Sequence, residues 1–259
     1  MSDGAVAPFT VRMSDGNVVK LEYYPSLPSP TRLAREYARA GYPDRYVVLT
    51  EEKTSHQTGK GIYMALILRP SIFPSQAVFV TPSAAVATAQ ALKEHTLSDI
   101  GIGWVSSIFC DGAQIGSITV EGKLDNFTSY EYMIISFDIE LSEKSFPPRL
   151  TDMVKRVFES ENASISMIIA KNILNKFFPF YSTIKSPQRA MTVYNSLFSM
   201  RGERIKCTVD GTVSSCKVLG VDDASCALIV EGRGGQIEKV TTLTGVTLPK
   251  KLRRKKKKA

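Results

Sequence analysis

Residues 59–70, Gly-Lys-Gly-Ile-Tyr-Met-Ala-Leu-Ile-Leu-Arg-Pro, constrain this chain more than any other stretch. Glycines supply the turn at one end and Pro70 stops the other. Between them Gly61–Leu68 is almost wholly apolar, which is the pattern of a strand buried on both faces. Such a strand needs a sheet around it and helices over it.

The flanking segments supply both. Thr10–Met13 and Val18–Tyr24 alternate about Ser14-Asp15-Gly16-Asn17, whose residues tolerate positive φ, so a hairpin is expected. After the Pro-rich 25–30, Thr31–Ala40 has helical spacing, with Gly41 as its stop. Arg45–Thr50 reads as a short strand. An Ala-rich helix is expected within Ala77–His95, where Pro82 fits only in the first turn. Ile100–Trp104, Val105–Cys110, Ala113–Glu121 and Tyr130–Leu141 read as strands, with Asp111-Gly112 and 123–129 as turns. From 147 to 200 the period becomes helical, with candidates at Arg149–Glu159, Ser164–Phe178 and Pro187–Met200. Beyond Arg201-Gly202, short apolar strands alternate with Asp-Gly, Asp-Asp and Gly-Arg-Gly-Gly turns, as in a small β-barrel.

Charge excludes a basic binding face. Eight of the 33 Lys and Arg lie in the last ten residues, KKLRRKKKKA, and the remainder balance the 25 Asp and Glu. The body is neutral and carries a basic tag. Four cysteines (Cys110, Cys207, Cys216, Cys226) without a C-x-x-C pair, and two histidines (His56, His95), give no metal-ligand spacing. They read as reduced, mostly buried thiols. No apolar run is long enough for a membrane span and no leader pattern is present, so an intracellular, cytoplasmic protein is expected.

The order of hairpin, helix, strand, glycine loop, strand, helix, strand hairpins, helices and small barrel resembles the biotin–protein ligases, relatives of the lipoate ligases, over residues 10–248. The resemblance implies an α+β fold. A large mixed sheet backed by helices would occupy residues 1–200, an SH3-like barrel 201–249, and a disordered basic tail 250–259. It implies ATP with Mg and biotin as reactants in an active member, and a biotin carrier protein as partner.

The motifs that carry the family's chemistry are replaced. Its arginine- and glycine-rich loop is absent, since Glu51-Glu52-Lys53-Thr54-Ser55-His56-Gln57-Thr58 runs straight into Gly59. Ser29-Pro30-Thr31 stands for a Ser-Thr-Asn element, and Lys53 stands for a biotin-holding glutamine. Gly103-Trp104-Val105-Ser106-Ser107 keeps only the tryptophan of a Lys-Trp-Pro-Asn-Asp motif. Ala113, in Ala113-Gln114-Ile115-Gly116, falls where the catalytic lysine is expected, and Ser136-Phe137-Asp138 replaces a Gly-Ile-Asn. Acyl-adenylate formation needs fixed positive charge where phosphate charge develops.

No catalytic residue is intact on this reading. The pocket candidates are Lys53, Gly59, Lys60, Gly61, Trp104, Gly116 and Asp138, with no metal ligand. Each has a plainer alternative: solvated lysines, turn glycines, a core tryptophan, and an aspartate on the strand face opposite Phe137. His56 and Gln57 fit a polar loop. Two functional readings stay open. One is a degenerate ligase that acts by binding; the other is a divergent active ligase in which Lys53, Lys60 or Arg69 supplies the lost charge. A third, accessory reading has the tail contacting nucleic acid or an anionic surface nonspecifically.

Overall fold

The computed structural model describes residues 6–55, 60–96, 98–125, 129–141, 165–209, 212–244 and 246–252. The helix expected at Arg149–Glu159, together with His56, Gln57 and Gly59, lies outside them.

The first hairpin pairs β1 (Val6–Arg12) with β2 (Val18–Leu27), turning where Gly16 adopts φ 83°. Helix α1 (Pro30–Arg39) starts at Ser29, whose Oγ accepts from the Arg32 amide at 3.2 Å, and Gly41 follows at φ 84°. This helix is the crossover that lets β3 (Tyr46–Lys53) lie parallel to β2. The buried strand is β4 (Gly61–Leu68), and every one of its residues is buried.

A short helix α2 (Pro74–Ala77) precedes α3 (Val80–Lys93), with Pro82 in the first turn as expected. Strands β5 (Ile100–Gly103), β6 (Ser107–Cys110), β7 (Ala113–Leu124) and β8 (Tyr130–Glu140) complete an eight-stranded sheet of order β1-β2-β3-β4-β8-β7-β6-β5. Helix α4 (Ile165–Ser182) passes beyond Phe178 through Pro179, further than expected. Helix α5 (Gln188–Leu197) stops short of Met200 because residues 198–199 run beside β5, where the Ser199 amide donates to the Ile102 carbonyl at 2.9 Å.

Side-chain alternation divides the large sheet into two covered faces. Leu21, Leu49, Met64, Ile135 and Phe137 share one core with α3 and α4. Tyr24, Val48, Ala65, Ile67 and Ile134 pack on the other side against Ala34 and Ala38 of α1. Both faces of β4 are therefore dry, which is why its sequence does not alternate.

Strands β9 (Arg204–Val209), β10 (Thr212–Val221), β11 (Leu228–Glu231) and β12 (Ile237–Val240) form a second antiparallel sheet, consistent with an SH3-like domain. The expectation that the tail begins at 250 needs correction for three residues. Lys250 and Leu252 bond through their backbone to Gln114 (3.0 Å) and Gly112 (2.7 Å), and Leu252 is buried. Its apolar side chain has a place in the main core, so the docked chain extends to 252.

Candidate functional site

On the α1 face, the β4–β8 register sets Tyr63 opposite Asp138, and the β7–β8 register sets Ser117 opposite Asp138. Lys53, at the end of β3, reaches over this row. Its Nζ lies 2.6 Å from Asp138 Oδ1 and 4.9 Å from the centroid of the Tyr63 ring. Two of the sequence candidates are thus one ion pair, laid on an aromatic face. Asp138 does lie opposite Phe137 in the pleat, as alternation requires. It is only half-buried, because α1 covers the neighbouring Ser136 and stops there: Thr31 Oγ1 donates to Ser136 Oγ at 2.8 Å.

The other charges around α1 are also committed. Arg35 grips Glu121 on β7 through two hydrogen bonds of 2.8 Å, tying the helix to the sheet. Arg69, a candidate replacement cation, donates instead to three backbone carbonyls: Tyr42 at 2.8 Å, Ala38 at 2.9 Å and Glu131 at 3.0 Å. Two of these carbonyls lie at or just after the end of α1, so Arg69 clamps the helix end. Lys60 is exposed and its charge acts on Glu51. Burial raises the Glu51 carboxyl, against the opposing pull of a Tyr23 hydrogen bond and of Lys60.

The two described glycine candidates serve packing. A Cβ on Gly61 would stand 2.3 Å from the Ile139 carbonyl oxygen and 2.8 Å from the Tyr63 ring. One on Gly116 would stand 2.4 Å from the Asp138 carbonyl oxygen. Neighbouring protein atoms already fill the space that a side chain would take. Trp104 is 1% exposed, and its indole Nε1 donates to the Cys226 carbonyl at 2.8 Å. It joins the large sheet to the small one and is a core residue. Ala113 begins β7 with its backbone bridged to Lys251, and its methyl group offers no proton or charge. Burial pushes the Cys110 thiol up to about 11, far from a reactive thiolate.

Sequence reasoning missed Tyr63, the Thr31–Ser136 link and a buried polar cluster under α1. In that cluster Glu22 accepts from Tyr24 at 2.7 Å, Tyr46 at 2.9 Å and, more loosely, Tyr37 at 3.5 Å. Burial and this carboxylate hold the Tyr24 and Tyr46 hydroxyls well above their usual range, so they stay protonated donors. Tyr24 in β2, Tyr37 in α1 and Tyr46 in β3 stand on three separate elements, so nothing in their local sequence reveals a shared acceptor. Among the described residues no cluster of His, Cys, Asp and Glu is arranged to hold a metal, and no helix is long and apolar enough to cross a membrane.

No family model matches the sequence. The bifunctional ligase/repressor BirA of Bacillus subtilis is 25% identical over 230 residues, covering 83% of this chain and 70% of that protein. The protein of the same name from Bacillus spizizenii is equally similar over 231 residues. Among solved structures, biotin protein ligase from Aquifex aeolicus superposes with a TM-score of 0.64 at 14% identity, over 88% of this chain and 97% of that one. The same ligase in complex with biotin and ATP gives 0.64 at 13%, over 88% and 97%. A biotin protein ligase-like protein of unknown function from Silicibacter gives 0.60 at 17%, over 89% and 97%. In fold and in sequence, the chain is a homologue of the biotin protein ligases.

Proposed function

We propose that this chain is a binding member of the biotin ligase fold that has lost acyl-adenylate formation. It acts by binding biotin, a biotinylated carrier or another protein without activating an acid, and free biotin is held weakly at most. The Lys53–Asp138 ion pair carries this reading. The cation nearest the row of site residues is neutralised within the protein at 2.6 Å, and it cannot serve a phosphate without stripping Asp138 of its partner. Arg69 and Arg35 are engaged elsewhere, and Ala113 has nothing to polarise an oxygen with. Catalysis by charge stabilisation needs donors aimed at the developing charge before reaction begins.

The competing reading is a divergent, ATP-dependent ligase acting on a carrier-protein lysine. The observation in its favour is that a lysine does reach the site at all. ATP–pyrophosphate exchange with biotin, then lipoate and octanoate, separates the two. The expected result is no exchange above a control lacking the acid, in the presence of Mg. Robust exchange with any acid overturns the proposal, and its abolition by Lys53→Met or Lys60→Ala would then assign the cation. Calorimetry should show weak or no binding of free biotin to the wild type. Binding of the acid should strengthen in Asp138→Asn, which releases the charge of Lys53.

The C-terminal basic residues are proposed as an accessory electrostatic contact. Because Leu252 is docked, a deletion that tests it should begin at residue 253. Retention on heparin should fall with that deletion and with added salt.

A further inference from the structure

In the small sheet, β9 and β10 place Cys207 opposite Ser214 and Cys216 opposite Ile205, so the two cysteines are diagonal neighbours on one face of the hairpin. Both are fully buried, and their Sγ atoms lie 2.7 Å apart. Two unbonded sulfurs at rest keep roughly 3.6 Å between them, whereas a covalent pair needs about 2.05 Å and strands close enough to allow it. The ladder thus sets the two buried thiols side by side, with no atom between the sulfurs. The other two cysteines, Cys110 and Cys226, are buried at separate places and make no such contact with each other or with this pair.

We propose that Cys207 and Cys216 are a site of reversible intramolecular disulfide formation, oxidised by a low-molecular-weight disulfide such as that of glutathione. One cysteine, as thiolate, attacks the small disulfide. A mixed disulfide forms, and one small thiol leaves with the proton. The second cysteine then attacks the protein sulfur of that mixed disulfide and expels the second small thiol. Two protein S–H bonds and one small S–S bond are exchanged for one protein S–S bond and two small S–H bonds, so electrons and protons balance.

Burial, reinforced by Cys216, pushes the Cys207 thiol well up from its ordinary value. Attack from the closed sheet is therefore slow, and exchange proceeds when the hairpin opens. The bond would close a short loop across the β9–β10 turn. It would also stiffen the strand on which residue 247 docks, through the Lys206–Thr247 bridge.

The test uses the full chain incubated with oxidised glutathione, alkylated in denaturant and digested with trypsin. Cleavage after Lys206 and after Lys217 releases residues 207–217, Cys-Thr-Val-Asp-Gly-Thr-Val-Ser-Ser-Cys-Lys, which contains both sulfurs. The expected peptide is unalkylated and lighter than its reduced form by two hydrogens, while Cys110 and Cys226 carry the alkyl group. Dithiothreitol should return both cysteines to alkylation. Oxidation should also raise the thermal midpoint by several degrees in the wild type and not in Cys207→Ala. Full alkylation of both cysteines after oxidation, or a stable glutathione adduct on one of them, would overturn the proposal. The peptide mass decides the question in the wild type even if a cysteine variant fails to fold.

Discussion

Replacing Trp104 tests whether the residue is core or ligand platform, because the two roles predict different losses. Trp104→Phe removes the indole N–H, which now donates to the Cys226 carbonyl at 2.8 Å in a fully buried setting. A buried carbonyl that loses its donor costs about 1–3 kcal/mol. The smaller ring also leaves a void of roughly 40 Å³, and at about 24 cal/mol per Å³ this adds nearly 1 kcal/mol. The expected loss is about 2–4 kcal/mol for Trp104→Phe, and about 5 kcal/mol for Trp104→Ala, where most of the core contact goes as well. Urea unfolding followed by far-ultraviolet circular dichroism measures this in wild type and variants alike, since the chain has one tryptophan and the variants lose its emission. In the wild type that same tryptophan should resist quenching by acrylamide, and its emission should not change with added biotin. Losses below about 1 kcal/mol for both variants, or a biotin-dependent emission shift, would refute the core assignment.

Two further predictions concern the large sheet. Glu51 has a raised carboxyl, so its stabilising contribution is fully present below the unfolded pKa and lost as pH rises through the folded one. Glu51→Gln should therefore gain on the wild type in urea midpoint between about pH 4 and pH 7; a pH-independent difference would contradict the burial argument. Gly61→Ala should cost about 1–3 kcal/mol whatever it does to ligand binding, because the Ile139 carbonyl at 2.3 Å belongs to a paired strand and cannot swing aside. Normal stability combined with altered binding would restore the reading of Gly61 as a ligand contact.

Local pattern carried much of the fold. The Asp15-Gly16 turn, the unbroken apolar run of β4 and the Ala-rich α3 each declare their structure within a dozen residues. Near-total burial of β4 also implied cover on both sides, which α1 on one face and α3 with α4 on the other provide. Helix ends were less legible. Pro179 marks a stop by composition, yet α4 continues to Ser182, where packing of Phe180 and Ile184 into the core outweighs one missing amide bond.

The site was legible as a set of positions and illegible as an arrangement. Lys53 and Asp138 are 85 residues apart, and nothing in either neighbourhood says that they neutralise each other. Resemblance to a motif marks where Gly61, Gly116 and Trp104 fall, but what fills the space beside them comes from strands remote in sequence. Arg69 shows the same limit. Its sequence context offers a free cation beside a proline, while its three acceptors come from 27 to 62 residues away.

Docking of residues 250–252 beside the Asp111-Gly112 turn alters the mechanics of the molecule. The chain leaves the large sheet after α5, builds the small one, and returns to the large sheet at Gln114 and Gly112. A body held by one strap can swing, whereas one held at both ends must shear or stay put. Trp104, reaching across to Cys226, adds a pin between the two straps. The small sheet is therefore fastened as a bracket rather than hung as a pendant. Freeing it would require peeling Leu252 from its apolar seat, so whatever pulls on the lysine-rich end of the chain pulls first on that latch.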